Sequence, residues 1–167
     1  MKKLEPPDSH YLRATEGWLE LGLRAEAAAE MELISPANRQ HPDVLGTRWA
    51  MLAQDGQWDE ALLTAGALVK CAPERADGWL HQAYALRRAA DGGLQKAWDA
   101  LLPAATQFPQ EPIICFNLAC YACQLGRLDE ARGWLKRAMK IGERDQVKLM
   151  ALVDEDLEPL WKEIRKW

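Results

Sequence analysis

Long apolar runs are missing from this chain of 167 residues. No stretch approaches the ~20 consecutive apolar residues that a membrane-crossing helix requires, so no role spanning a bilayer is expected. The opening Met1-Lys2-Lys3-Leu4-Glu5-Pro6-Pro7 has lysines but no apolar segment behind them. It does not read as a secretory signal, and a cytoplasmic location is expected. Histidine is scarce: His10, His41 and His81 are scattered, with no partner at i+4 and no His-Glu-x-x-His spacing. Phosphate-cradling glycine loops, nucleophile elbows and kinase signatures are also lacking. The chain therefore reads as non-catalytic, with no metal and no cofactor.

Excess positive charge is absent too. The formal net charge is −4, and basic and aromatic residues are not interleaved, so nucleic-acid binding is not expected. That total hides an uneven distribution. Residues 1–60 carry 6 basic and 11 acidic side chains, net −5, whereas residues 112–152 carry 7 basic and 4 acidic, net +3. A basic patch around Lys136, Arg137, Lys140 and Arg144 reads either as a solvated helix face or as an attractor for an acidic partner.

The four cysteines, Cys71, Cys115, Cys120 and Cys123, are expected as thiols in a reducing compartment. Cys115-x4-Cys120-x2-Cys123 is similar to a plant-type ferredoxin ligand spacing. On a helix, however, Cys115 and Cys120 point about 140° apart and cannot converge on one cluster. The cysteines read as small hydrophobes. A metal or redox protein built on them is the alternative from another functional class.

What the chain does contain is a period. Gly22, Gly56, Gly92 and Gly126 are separated by 34, 36 and 34 residues, and Ala27, Ala61, Ala97 and Ala131 keep the same intervals. Trp58-Asp59-Glu60-Ala61 and Leu128-Asp129-Glu130-Ala131 nearly superimpose, and Pro73 and Pro109 close successive units. The stretch Asn117 to Ala138 shows the unit: an apolar-periodic segment, a glycine turn, then a second periodic segment opening with acids. Small residues such as Ala119 and Ala131 let two helices approach to roughly 8–10 Å. Glycine lets the chain leave a helix through a left-handed conformation. Carboxylates at Asp129 and Glu130 meet the unpaired N–H groups of a helix start. A repeat of helix hairpins follows.

These residues resemble the tetratricopeptide repeat (TPR) family, whose unit is 34 residues. The match is fullest in the fourth unit, at Leu118, Ala119, Gly126, Ala131, Leu135 and Ala138. Trp79, Ala83, Tyr84, Ala97, Leu101, Ala104 and Pro109 carry it in the third, and Leu45, Leu52, Gly56, Ala61 and Pro73 in the second. The first unit holds Trp18, Gly22, Ala27 and Met31. Two positions depart from the pattern: Trp49 fills a slot that is usually small, and Gly92-Gly93 accompany a two-residue insertion. The resemblance implies an all-α fold, a right-handed α-α superhelix of TPR hairpins in one domain. Its repeats fall at about 8–41, 42–75, 76–111 and 112–142, with a cap over 143–167.

The resemblance further implies a concave groove lined by the first helix of each unit. Mapped by the repeat, that face includes Leu12, Arg13, Glu16 and Leu19; Gly46, Thr47 and Ala50; Asp77, Leu80, His81, Tyr84, Arg87 and Arg88; and Ile113, Phe116, Asn117, Cys120 and Gln124. The implied function is a protein-protein interaction module or adaptor that binds a peptide or protein segment there. A chaperone for a secreted or membrane-active client is an alternative, and self-association through the terminal helices stays open. Relatives that grip acidic chaperone tails use Lys, Asn and Arg at places filled here by Leu12, Glu16, Thr47, Asp77 and His81. Tail clamping is therefore not implied.

Local signals set the helices. Asp8 or Ser9 is expected to cap a first helix carrying Tyr11, Trp18 and Leu21. Leu45, Trp49 and Leu52 form a buried stripe, and Trp18, Trp49, Trp79, Trp98 and Trp134 are expected as packing residues. The third unit is expected as helices over about 76–90 and 94–107. Pro103, which has no N–H and crowds the carbonyl of Asp99, predicts a kink or break in the latter. Leu157, Leu160, Trp161 and Ile164 predict one last helix in the cap. Lys162, Glu163, Arg165 and Lys166 are expected on its polar outer side.

Overall fold

The computed structural model describes residues 3–167; Met1 and Lys2 of the amino-terminal segment lie outside the described residues. The described chain is helical and contains no strand, and none of its helices is long and apolar enough to cross a membrane. It divides into two compact units, Met1–Ala85 and Leu86–Trp167.

In the first unit α1 (Asp8–Glu20) pairs with α2 (Arg24–Leu33), and α3 (Pro42–Gln54) pairs with α4 (Trp58–Cys71), while α1 also packs on α3. The glycine turns form as the period predicts, with Gly22 at φ +74° and Gly56 at φ +70°. Ala27 and Ala61 are fully buried at the crossings, where a larger side chain would force the helices apart. One core cluster gathers Leu4, Leu12, Met31, Ile34 and Val44, and another gathers Leu45, Leu68 and Ala72. Leu12, expected on the open face, is thus a core residue. Leu21, expected on the same side as Tyr11 and Trp18, is exposed and lies past the last turn of α1.

Asp8 does not cap α1. Its carboxylate is buried and accepts hydrogen bonds from the Ser35 N–H at 3.0 Å, the Ser35 hydroxyl at 2.5 Å and the Asn38 amide at 2.7 Å. It therefore ties the start of α1 to the single 3-10 turn Pro36–Asn38 that follows α2. The Ser35 hydroxyl first, then Asn38, hold its pKa below the ordinary carboxylate value.

Helix α5 runs Ala76–Leu86 and stops short of the predicted residue 90. The Leu86 carbonyl accepts the Gly93 N–H at 2.9 Å, and Gly92 lies so close that a Cβ there would meet that oxygen at 1.8 Å. The insertion is absorbed by a wide turn instead of more helix. Gly93, at φ +127°, and not Gly92 of the glycine series, takes the positive φ in this turn.

In the second unit α6 (Leu94–Leu101) ends before Pro103, and α7 (Ala104–Gln107) restarts after it, which is the predicted break. Helices α8 (Pro112–Gln124) and α9 (Leu128–Ile141) form the next hairpin about Gly126 at φ +76°. Helix α10 (Arg144–Val153) packs on α9. The predicted final helix is instead a 3-10 segment, Glu155–Leu160, followed by α11 (Trp161–Ile164). Pro159 lies inside that segment and cannot donate to an α-helical ladder. Its apolar stripe still turns inward: Leu157, Leu160 and Ile164 are fully buried, and the Trp161 indole N–H donates to the Ala151 carbonyl at 2.9 Å.

Candidate functional site

In the first unit, α1 and α3 diverge enough to leave an open concavity of about 320 Å³, lined by Glu16, Leu19, Glu20, Gly46, Thr47, Ala50 and Gln54. Small residues at Gly46 and Ala50 keep the floor low, and the charges on its rim are acidic. Thr47 is buried beneath it, with its hydroxyl 3.0 Å from Glu16 Oε1 and 3.1 Å from the Asp43 carbonyl oxygen. That contact fixes the Glu16 side chain while leaving the residue exposed. Arg13, also exposed, donates from Nε to the Ser9 carbonyl of its own helix.

Aromatic rings extend the first unit's surface. The His81 ring stacks on Trp49 with centroids 3.8 Å apart and planes within 7°, Tyr84 stands edge-on to Trp49 at 5.9 Å, and Trp58 lies 5.8 Å from Tyr84. Edge-on and stacked pairs of this kind add to the burial energy of the rings and fix their orientation. Tyr84 is 39% exposed, while Trp49, Trp58 and His81 are half-buried. His81 Nδ1 and Trp49 Nε1 are buried without a hydrogen-bond partner among the described residues. Burial pushes the His81 pKa below its ordinary value; nearby Asp77 opposes this and Arg75 adds to it. Arg75 is itself held between Asp43 and Asp77, at 2.5 Å from each.

The predicted residues of the second unit lie in different surroundings. Phe116 and Cys120 are buried, and the 3-10 segment Glu155–Leu160 packs on α8. Gln124 donates to the Asp156 carbonyl at 3.1 Å, and the Cys120 sulfur lies 3.7 Å from Asp154 Oδ2. Arg87 forms a two-pronged ion pair with Asp156, and its guanidinium stands 5.7 Å from the Tyr121 ring. Asn117 spends its amide on the Ile113 carbonyl one turn back, at 2.9 Å. Arg88 is exposed. Phe116 and Cys120 are therefore buried where the repeat spacing expected open surface; the 3-10 segment packs on their helix, and Asp154 lies beside Cys120.

Cys120, Asp154 and Asp156 bring ligand-type atoms within 4.8 Å of one another. Those atoms are already committed: Asp156 to Arg87, and Asp154 to the Cys120 thiol and the Asp156 N–H. Burial pushes the Cys120 thiol far up, and Asp154 and Asp156 reinforce this. Cys115 and Cys123 are buried with raised pKa values, while Cys71 is exposed. The three cysteines of α8 do not converge.

The stripe Leu45-Trp49-Leu52, expected to be buried, buries Leu45 alone; Trp49 and Leu52 are half-buried, as is Trp58, to which sequence reasoning gave no role.

No family model matches the sequence, and no curated protein does. Several solved structures match the fold. A thermophilic TPR protein of Thermus thermophilus, TTC0263, gives a TM-score of 0.73 at 21% identity, covering 94% of this chain and 82% of that one. A crystal structure of MamA protein gives 0.69 at 16% identity, covering 95% and 86%. A MamA RS-1 double mutant gives 0.69 at 20% identity, covering 86% and 79%. The chain has a TPR-type fold.

Proposed function

We propose that the protein is a non-catalytic interaction module that holds a peptide or protein segment against the first unit, across the α1–α3 concavity and the Tyr84 aromatic group. One observation carries this reading: the mutually packed rings of His81, Trp49, Tyr84 and Trp58 stay partly open to solvent. Rigid aromatic side chains give contact area at little entropic cost and dominate the energetics of many interfaces. Glu16 and Glu20 on the concavity rim suit a segment that carries a basic side chain beside an apolar one, with Arg13 on the same helix favouring a neighbouring acid. Arg87, Phe116, Asn117 and Cys120 are left out of this surface, since the second unit uses or buries them.

Affinity capture with the full chain followed by mass spectrometry identifies candidate partners, and titration calorimetry then compares wild type with Tyr84→Ala and Glu16→Lys. Loss of at least about tenfold in affinity for each variant is expected, since central aromatic anchors commonly contribute about 2 kcal/mol or more. A captured partner that binds both variants as tightly as wild type overturns the reading.

A further inference from the structure

The second unit carries a concavity that the function proposed above does not use. It measures about 390 Å³ and is lined by Lys136, Met139, Lys140, Arg144 and Trp167. Lys136 and Lys140 are one turn apart on α9, so they share a face. Gly142, extended at φ −105° and ψ −174°, ends that helix, and Arg144 begins α10. Three cations are thereby set along one edge.

The aromatic wall is held in place from two sides. The Lys136 ammonium stands 5.1 Å from the centre of the Trp167 ring, and the Arg144 guanidinium donates to the backbone oxygen of Trp167, the last residue of the sequence, at 3.2 Å. Met139 supplies the remaining apolar surface. Among the described residues no acidic side chain lines the space. Glu163 lies in the field of Lys136 but is gripped by Arg132, with two contacts of 2.8 Å. Arg144 is engaged by the Trp167 oxygen, so the positive character of the wall rests on Lys136 and Lys140.

We propose that this concavity is a docking site for an acidic peptide segment of a partner protein, one that carries an aliphatic or aromatic side chain next to its carboxylates. The carboxylates meet Lys136 and Lys140, and the apolar side chain lies against Trp167 and Met139. Charge complementarity selects the anion, and the indole and thioether select the apolar neighbour. An extended polyanion fits poorly. Residues 1–85 hold 13 acidic and 8 basic side chains, net −5, whereas residues 86–167 hold 12 acidic and 13 basic, net +1. The positive field is local and the whole chain repels long-range negative charge, which disfavours nucleic acid and anionic membranes.

The test uses the full chain and a fluorescein-labelled peptide, acetyl-Asp-Asp-Leu-Phe-Glu-Asp-amide, followed by polarisation at low and at moderate salt. Saturable binding that weakens as salt rises is expected. Lys136→Glu with Lys140→Glu should weaken it about tenfold or more, the factor for loss of two or three exposed charge pairs. Both lysines are on the outside of α9, so this variant keeps the fold, checked by its melting curve. Trp167→Ala should weaken the Leu-Phe probe but not a Gly-Gly version of it. Tyr84→Ala should leave binding unchanged, which separates this site from the one in the first unit. Probe binding unaffected by the double lysine variant overturns the proposal. So does equal binding of inorganic phosphate, of anionic vesicles or of the Gly-Gly probe, since each would show a site for charge alone.

Discussion

Arg87 grips Asp156 with both arms of its guanidinium across 69 residues of sequence, with both side chains about four-fifths shielded from solvent. The hydrogen bond to Asp156 holds the Arg87 pKa above its ordinary value, against the opposing effect of burial. The pair fastens the turn after α5 to the 3-10 segment that lies on α8. It explains why an arginine expected on an open groove serves instead as a clasp within the second unit.

Breaking that clasp should loosen the cap. Asp156→Ala leaves the Arg87 charge half-buried without its partner and should destabilise the protein by roughly 1–3 kcal/mol. Leu160→Ala, which empties a fully buried position, should cost about 2–5 kcal/mol. Urea unfolding followed by circular dichroism checks both. Equal stability of the Asp156→Ala variant and wild type would show that the pair contributes nothing net.

Stability should fall in mild acid because of His81. Its pKa in the fold lies below the ordinary 6.5, so in the window just under 6.5 the unfolded chain binds more protons than the folded one. Stability from this group is fully present above pH 6.5 and is lost as pH falls through the folded value. His81→Phe keeps a ring against Trp49 and removes the titration. Unfolding free energies measured between pH 7 and pH 5 should therefore slope less steeply for the variant than for wild type. Asp8 does not confuse the comparison, since its own pKa lies below 3.8.

Two glycines should respond oppositely to alanine. Gly92→Ala places a Cβ at 1.8 Å from the Leu86 carbonyl oxygen, and the turn must move; a loss of about 2–4 kcal/mol is expected. Gly133 is in mid-α9 with nothing within 4 Å of the added carbon, so Gly133→Ala should stabilise by about 0.5–1 kcal/mol through helix propensity. Thermal melts should place the two variants on opposite sides of wild type.

The thiols should separate by burial. A disulfide-exchange reagent added to the native protein should titrate Cys71 alone, and denaturant should release Cys115, Cys120 and Cys123 as well. Rapid native modification of Cys120 would mean that the 3-10 segment leaves α8 readily.

Much of the fold is legible in the residues. Glycines at a near-constant interval, each followed by alanine at the crossing, set the hairpins, and Gly22, Gly56 and Gly126 take the left-handed conformation the spacing requires. Pro103 broke its helix where its missing N–H said it would. These are local effects, decided by one residue and its near neighbours. The candidate site was less legible. Helical spacing placed His81 and Tyr84 one turn apart but gave no sign that Trp49 and Trp58 would close around them.

The sequence by itself determined the hairpin repeat, its turns and its break, because backbone sterics and small-residue contacts act over a few positions. Only the tertiary structure decided which face of each unit stays open. Phe116 and Cys120 repeat the pattern of surface residues, yet the 3-10 segment from 155 to 160 packs on their helix. Leu157 and Leu160 are fully buried in that segment, which reaches α8 from well beyond it in the chain, and no periodicity encodes the contact.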